Sequence, residues 1–194
     1  MDQVGHLIEL FASIPDDSSV RRRRWLGRRL VDLFRSTPAG ADIQGSSKVD
    51  VIVELEDHLD DARVLSFFVS VISDPAEYDL ARIECIKILR LWPPDAAAGR
   101  QRVGRAMVAA LQVGEDYLVR QWAARSLESY VGDTVVFEAL ATAVLHDGDP
   151  NVRDNALSSL QRAGRDDRSA ELLRQLVSDP ELGRAAARTL QSWA

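Results

Sequence analysis

The residues best able to do chemistry in this chain of 194 are charged and clustered. Arg21, Arg22, Arg23, Arg24, Arg28 and Arg29 crowd one short stretch, and Arg21, Arg24 and Arg28 share a helical stripe. Such a stripe can meet phosphates or nucleic acid. Adjacent cations near a helix N-terminus oppose the macrodipole, so a compensating acid or a ligand is expected. A solvated face paired with Asp16, Asp17 or the acidic segment downstream outweighs the nucleic-acid reading. Asp50, Glu54, Asp57 and Asp61 follow i, i+4, i+7, i+11 spacing opposite Ile52, Leu55 and Leu59. That stripe could dock a basic partner, although a plain solvent-facing role is the simpler one. Carboxylates strung along a rigid helix do not converge as in a calcium loop. His6, His58 and His146 show no ligand spacing, and the single cysteine, Cys85, excludes both an intramolecular disulfide and a zinc motif. There is no GxSxG, no Walker-type glycine loop and no GxGxxG. Neither a catalytic group nor a metal or other cofactor is expected.

Charge and composition narrow the classes further. The net charge is −6 and the pI about 5.1, which argues against non-specific nucleic-acid binding. The charge is uneven: residues 1–48 carry net +2, 49–100 net −6 and 101–194 net −2. The lone cysteine suits a reducing compartment. The N-terminal MDQVGHLIELFASIPDD lacks the basic start and unbroken apolar core of a secretory signal, and no apolar run approaches bilayer length. A cytoplasmic protein is expected, monomeric or weakly self-associating.

The elements that must carry these residues are helical. Apolar positions recur at helical spacing throughout and never alternate as in a strand. Asp-Pro at 74–75, 149–150 and 179–180, and Gly-Asp or Gly-Glu-Asp at 114–116, 132–133 and 148–149, read as C-terminal glycines, N-cap aspartates and first-turn prolines. Eleven helices are predicted, at 3–14, 19–35, 49–60, 62–73, 76–92, 96–112, 116–130, 133–146, 150–163, 167–178 and 180–193. One Gly-, Ser- and Pro-rich loop spans 36–48.

The segments also repeat. ARIECIKIL from Ala81, VRQWAARSL from Val119 and VRDNALSSL from Val152 share Arg second (Arg82, Arg120, Arg153), a small residue fifth (Cys85, Ala123, Ala156) and Leu ninth. LGRAAARTL from Leu182 is a fourth copy with Gly183 in the arginine's place, and RRRWLGRRL from Arg22 a weaker fifth. Asp79, Asp116 and Asp149 precede the three arginines by three or four residues. Each can cap its helix and also pair with the arginine one turn on or with the next repeat. Recurrence in step with the repeat marks these pairs as architecture.

DGDPNVRDNALSSL (147–160) and GEDYLVRQWAARSL (114–127) resemble HEAT repeats, of the short bacterial kind related to phycobilisome-lyase-type repeats. The resemblance holds over 61–193 and is poor over 1–60. It implies one all-α domain over residues 1–194, a right-handed solenoid of stacked antiparallel helix pairs, with 1–60 as divergent capping helices and second helices lining a concave face. Trp122 stands where the sister repeats place Glu84 and Asn155, both polar. Core packing is its simpler role, but in the groove it would anchor a partner, with Lys87, Arg125 and Ser158 one turn further on. The function expected is a non-catalytic scaffold that binds a protein, a basic one if the chain's charge decides it, through Glu84, Lys87, Trp122, Arg125, Asn155 and Ser158, in the manner of an immunity protein or adaptor. Two alternatives follow from the resemblance: a HEAT-like alkylation-repair glycosylase holding DNA, and a lyase or chaperone subunit acting on a tetrapyrrole-bearing protein.

Overall fold

The computed structural model describes residues 3–13, 19–38, 47–112 and 115–194. The helices are α1 (Gln3–Ser13), α2 (Ser19–Ser36), α3 (Lys48–Leu55), α4 (Ala62–Ser73), α5 (Asp79–Leu91), α6 (Ala97–Ala110), α7 (Tyr117–Ser126), α8 (Thr134–His146), α9 (Pro150–Ala163), α10 (Asp167–Leu176) and α11 (Gly183–Trp193). Short 3-10 turns follow α3 at Glu56–His58 and α7 at Leu127–Tyr130. The chain is all-α, with no strand among the described residues. The eleven predicted helices are present. Residues 39–46 of the predicted loop lie outside the described part.

Several boundaries move for identifiable reasons. The expected helix 49–60 ends at Leu55 and tightens into a 3-10 turn, which breaks the register of the acidic stripe. Helix α5 starts at Asp79 rather than 76, because the Asp74 carboxylate accepts from Ala76 N and Glu77 accepts from Tyr78 N. Helix α11 starts at Gly183 because Asp179 accepts from the backbone N–H groups of Glu181 and Leu182. Pro75 and Pro180 therefore sit in turns ahead of their helices, and Pro150 is the first-turn proline of α9. The expected N-cap aspartates Asp116, Asp133 and Asp149 all accept first-turn N–H groups, as do Asp61 and Asp166. Gly164 ends α9 with φ of 97°, the left-handed backbone that favours glycine.

The chain divides into two compact units, Met1–Ile88 and Leu89–Ala194. In the first, α2 packs on α1, α3 and α4. Its core joins Leu30, Phe34, Val51, Ile52, Leu55, Phe68 and Ile72, with Phe34 edge-on to Phe67 at 5.0 Å. Lys48 is buried, its ammonium 2.6 Å from Glu77 and 4.4 Å from the Phe34 ring centre. Burying this cation is tolerable because both contacts offset its lost hydration.

In the second unit α6 packs on α7 and α8, α9 on α7 and α8, and α10 on α11. First helices thus lie beside first helices, and second beside second, as stacked helix pairs require. Ala123, Ala124 and Ala156 are fully buried, so α7 and α9 approach closely. Ser159, also fully buried, donates its hydroxyl to Ala124 O at 2.7 Å across that seam. Ser159→Ala should cost ~1–2 kcal/mol in chemical denaturation, since it leaves a buried carbonyl without its donor. An unchanged midpoint would show that the bond contributes nothing net.

Candidate functional site

The seam between α7 and α9 is bordered by ion pairs that run between successive repeats. At the N-terminal ends of the second helices, Arg120 pairs with Asp147, and Arg153 with Asp179 and with Glu181 at 2.6 Å. Gln121 donates to the Asp149 carboxylate at 3.3 Å. Asp116 and Asp149 cap their helices as the spacing predicts, whereas Asp79 lies inside the first turn of α5, and Arg120 and Arg153 reach forward to the next repeat rather than back to Asp116 and Asp149. The first unit differs: Arg82 lies 3.4 Å from Asp79 within its own helix. At the C-terminal ends, Glu128 sits between Arg90 at 3.4 Å and Arg162 at 3.0 Å.

The ladder carries a pH dependence. Burial alone would raise the Asp149 carboxyl, but N–H donors from Asn151 and Val152, the Gln121 side chain and the Arg120 charge outweigh it and hold the pKa below the ordinary value. In Asp179 the Leu182 N–H is the largest influence, burial opposes it, and Arg153 and Glu181 N–H add to the lowering. A carboxylate with a depressed folded pKa gives stability that is complete above its unfolded value, near ~3.9, and is lost as pH falls through the folded value. Melting temperature should therefore drop as the pH falls below about 4, and Asp179→Asn should flatten that drop. A variant retaining the full acid dependence would mean that other groups carry it.

Between the two rows of ion pairs, along α7 and α9, lie four of the six residues that the repeat register assigns to a groove. Trp122 is half-buried on α7, and the Arg125 guanidinium lies 5.7 Å from its ring centre. Asn155 and Ser158 are part-exposed on the packed neighbour α9. These four thus belong to one unit and to two adjoining helices. Glu84 and Lys87 belong to the other unit, where they pair with each other at 2.6 Å. The sequence missed Arg90, Glu128 and Arg162, which edge the same face. A signal was present: Glu128 lies three residues beyond Arg125, and Arg162 four beyond Ser158, so both extend the same helical stripes.

The acidic stripe is not carried by one helix, because two of its four residues serve caps at different helix starts. Asp50 closes a capping box with Ser47, at 2.7 Å from Ser47 N, and Asp61 caps α4. Glu54 lies on α3 and Asp57 in the 3-10 turn. The side chain of Arg21 lies outside the described residues, as do Asp16 and Asp17. Arg24 and Arg28 are exposed, and neither forms an ion pair among the described residues. The expected pairing with the acidic segment is therefore not made by these two. Cys85 is buried, and burial pushes its thiol pKa well up, leaving a protonated, inert thiol. His58 is buried beside the α3 turn, where burial lowers its pKa despite Asp57 and Asp60, while His6 and His146 are exposed. Among the described residues no helix is long and apolar enough to cross a membrane.

Residues 104–192 match the family of HEAT repeats. The matched stretch runs from within α6 into α11 and contains all of α7 and α9. No curated protein matches the chain.

Proposed function

We propose that this chain, built of HEAT repeats over residues 104–192, is a non-catalytic protein-binding module whose partner sits on the α7–α9 face. HEAT repeats generally mediate protein–protein contact, and stacked helix pairs present their second helices as a continuous binding surface. The observation that carries the reading is the Trp122–Arg125 pair. A large ring held under a guanidinium at the middle of a packed, ladder-edged surface has the composition of an interface anchor. Asn155 and Ser158 offer adaptable hydrogen bonds beside it.

The charge of this face also speaks to the partner. The net −6 of the chain favours a basic partner, but Arg90, Arg120, Arg125, Arg153 and Arg162 are balanced on this face by Glu128, Asp147, Asp149, Asp179 and Glu181, so a segment of mixed charge fits it.

Trp122→Ala and Arg125→Glu should each weaken partner binding at least tenfold, about 1.4 kcal/mol, with the melting temperature little changed. Titration of the purified partner by calorimetry would read both. Wild-type affinity in the two variants would remove the face from consideration.

A further inference from the structure

The first unit contains an open cleft of about 740 Å³ between α2 and α4, lined by no residue of the α7–α9 face. Its cationic rim is formed by Arg28 and Arg35 from α2 and Arg63 from α4, all three exposed. None of the three forms an ion pair among the described residues. Arg24, exposed one turn before Arg28 on α2, does not itself line the cleft. The positions Arg24, Arg28, Val31 and Arg35 follow i, i+4, i+7, i+11, so they make one stripe about 16 Å long. The floor is apolar, from Val31, Val64 and Phe67.

Two of the arginines are held in place. The Arg28 Nε donates to Arg24 O at 3.2 Å, and the side chain as a whole is exposed. The Arg35 guanidinium lies 6.0 Å from the Phe67 ring centre. Held side chains lose less freedom on binding, and guanidinium groups take carboxylates in bidentate pairs. Asp32 and Asp61 also line the cleft, and Asp61 is engaged by Arg63 N in its cap.

We infer that the α2–α4 cleft binds an amphipathic helical segment of a protein partner, with its carboxylates on Arg28, Arg35 and Arg63 and its apolar side on Val31, Val64 and Phe67. The stripe's spacing matches carboxylates repeated once per turn on a facing helix. The apolar floor and the two aspartates suit a peptide over a nucleic acid, whose unbroken phosphate chain would meet Asp32 and Asp61. This inference is independent of the α7–α9 reading.

The test uses the full chain and a fluorescein-labelled 16-residue helix-forming peptide. The peptide carries glutamates at i, i+4, i+7 and i+11 opposite a leucine stripe. Anisotropy should show saturable binding at low salt that weakens as salt rises, and none by the matching lysine peptide. Arg28→Glu with Arg63→Glu should weaken it at least tenfold while the circular dichroism stays unchanged. Should the reversed pair fail to fold, Arg28→Gln with Arg63→Gln reads the same loss. Trp122→Ala with Arg125→Glu should leave peptide binding intact. No binding at low salt, undiminished binding by the arginine variants, loss in the Trp122 and Arg125 variants, or displacement of the peptide by a tighter-binding oligonucleotide would each overturn the inference.

Discussion

Arg82→Ala should be the most damaging single substitution in the first unit, costing ~3–5 kcal/mol, because it combines an orphaned polar site with a cavity. The Arg82 side chain is 1% exposed, among the largest fully buried groups in the protein. Its Nε and one terminal nitrogen donate to Ile72 O at 3.3 and 3.2 Å, and the other terminal nitrogen faces Asp79 at 3.4 Å. Removing it strips the last turn of α4 of its donors and opens the seam between α4 and α5. Arg82→Lys should rescue little, since one ammonium cannot reproduce a planar fork on the same carbonyl. Stacked helical repeats can lose all-or-none behaviour, so the loss should appear as an early transition of the first unit in urea. A variant melting as wild type would show that Arg82 is merely enclosed rather than required.

Gly183→Ala should destabilise the second unit by ~1–3 kcal/mol, through overpacking. The sign is the informative part. Within a helix the same change ordinarily gains up to ~1 kcal/mol, because alanine loses less backbone freedom. Here a Cβ on Gly183 would stand 2.5 Å from Val177 O and 3.1 Å from Leu176 O, both backbone atoms. Stability measured in urea should therefore fall. A gain would mean that α11 can slide away from the end of α10 at no cost.

Gly183 also explains an irregularity that the repeat alone leaves open. In two other copies the arginine at this position reaches back to a carbonyl in the last turn of the preceding helix. Arg82 does so to Ile72 O, and Arg153 to Val144 O at 2.9 Å. In the last repeat the backbone end of α10 has come so close that no side chain fits. The carbonyl approach is kept and the arginine is lost.

The repeat was legible in the sequence because each copy restates the same three demands: a capping acid, a small residue at the helix seam and a core leucine. Local chemistry of this kind is written in single residues, so the caps at Asp116, Asp133 and Asp149 could be read directly. The destination of the arginines could not, because Asp147 and Asp179 meet Arg120 and Arg153 only when repeats stack. The acidic stripe shows the same limit. Its spacing presumes an unbroken helix, whereas Asp50 and Asp61 are consumed by caps at two different helix starts. The site was half legible. Trp122, Arg125, Asn155 and Ser158 do share two packed helices, but Glu84 and Lys87 carry the same repeat register in the other unit and pair with each other. The α2–α4 cleft was invisible, since nothing in the spacing of Arg28 and Arg35 tells that Arg63 and Phe67 will stand opposite.

The central claim is that the partner occupies the α7–α9 face. It is tested most directly by placing a photo-crosslinking residue at Ser158, inside that face, and in a second protein at Glu138, exposed on α8. Irradiation in a native extract should join one protein to the Ser158 probe and nothing to the Glu138 probe, and Trp122→Ala in the Ser158 background should abolish the adduct. An adduct from Glu138 with none from Ser158, or a nucleic-acid adduct at Ser158, would contradict the account.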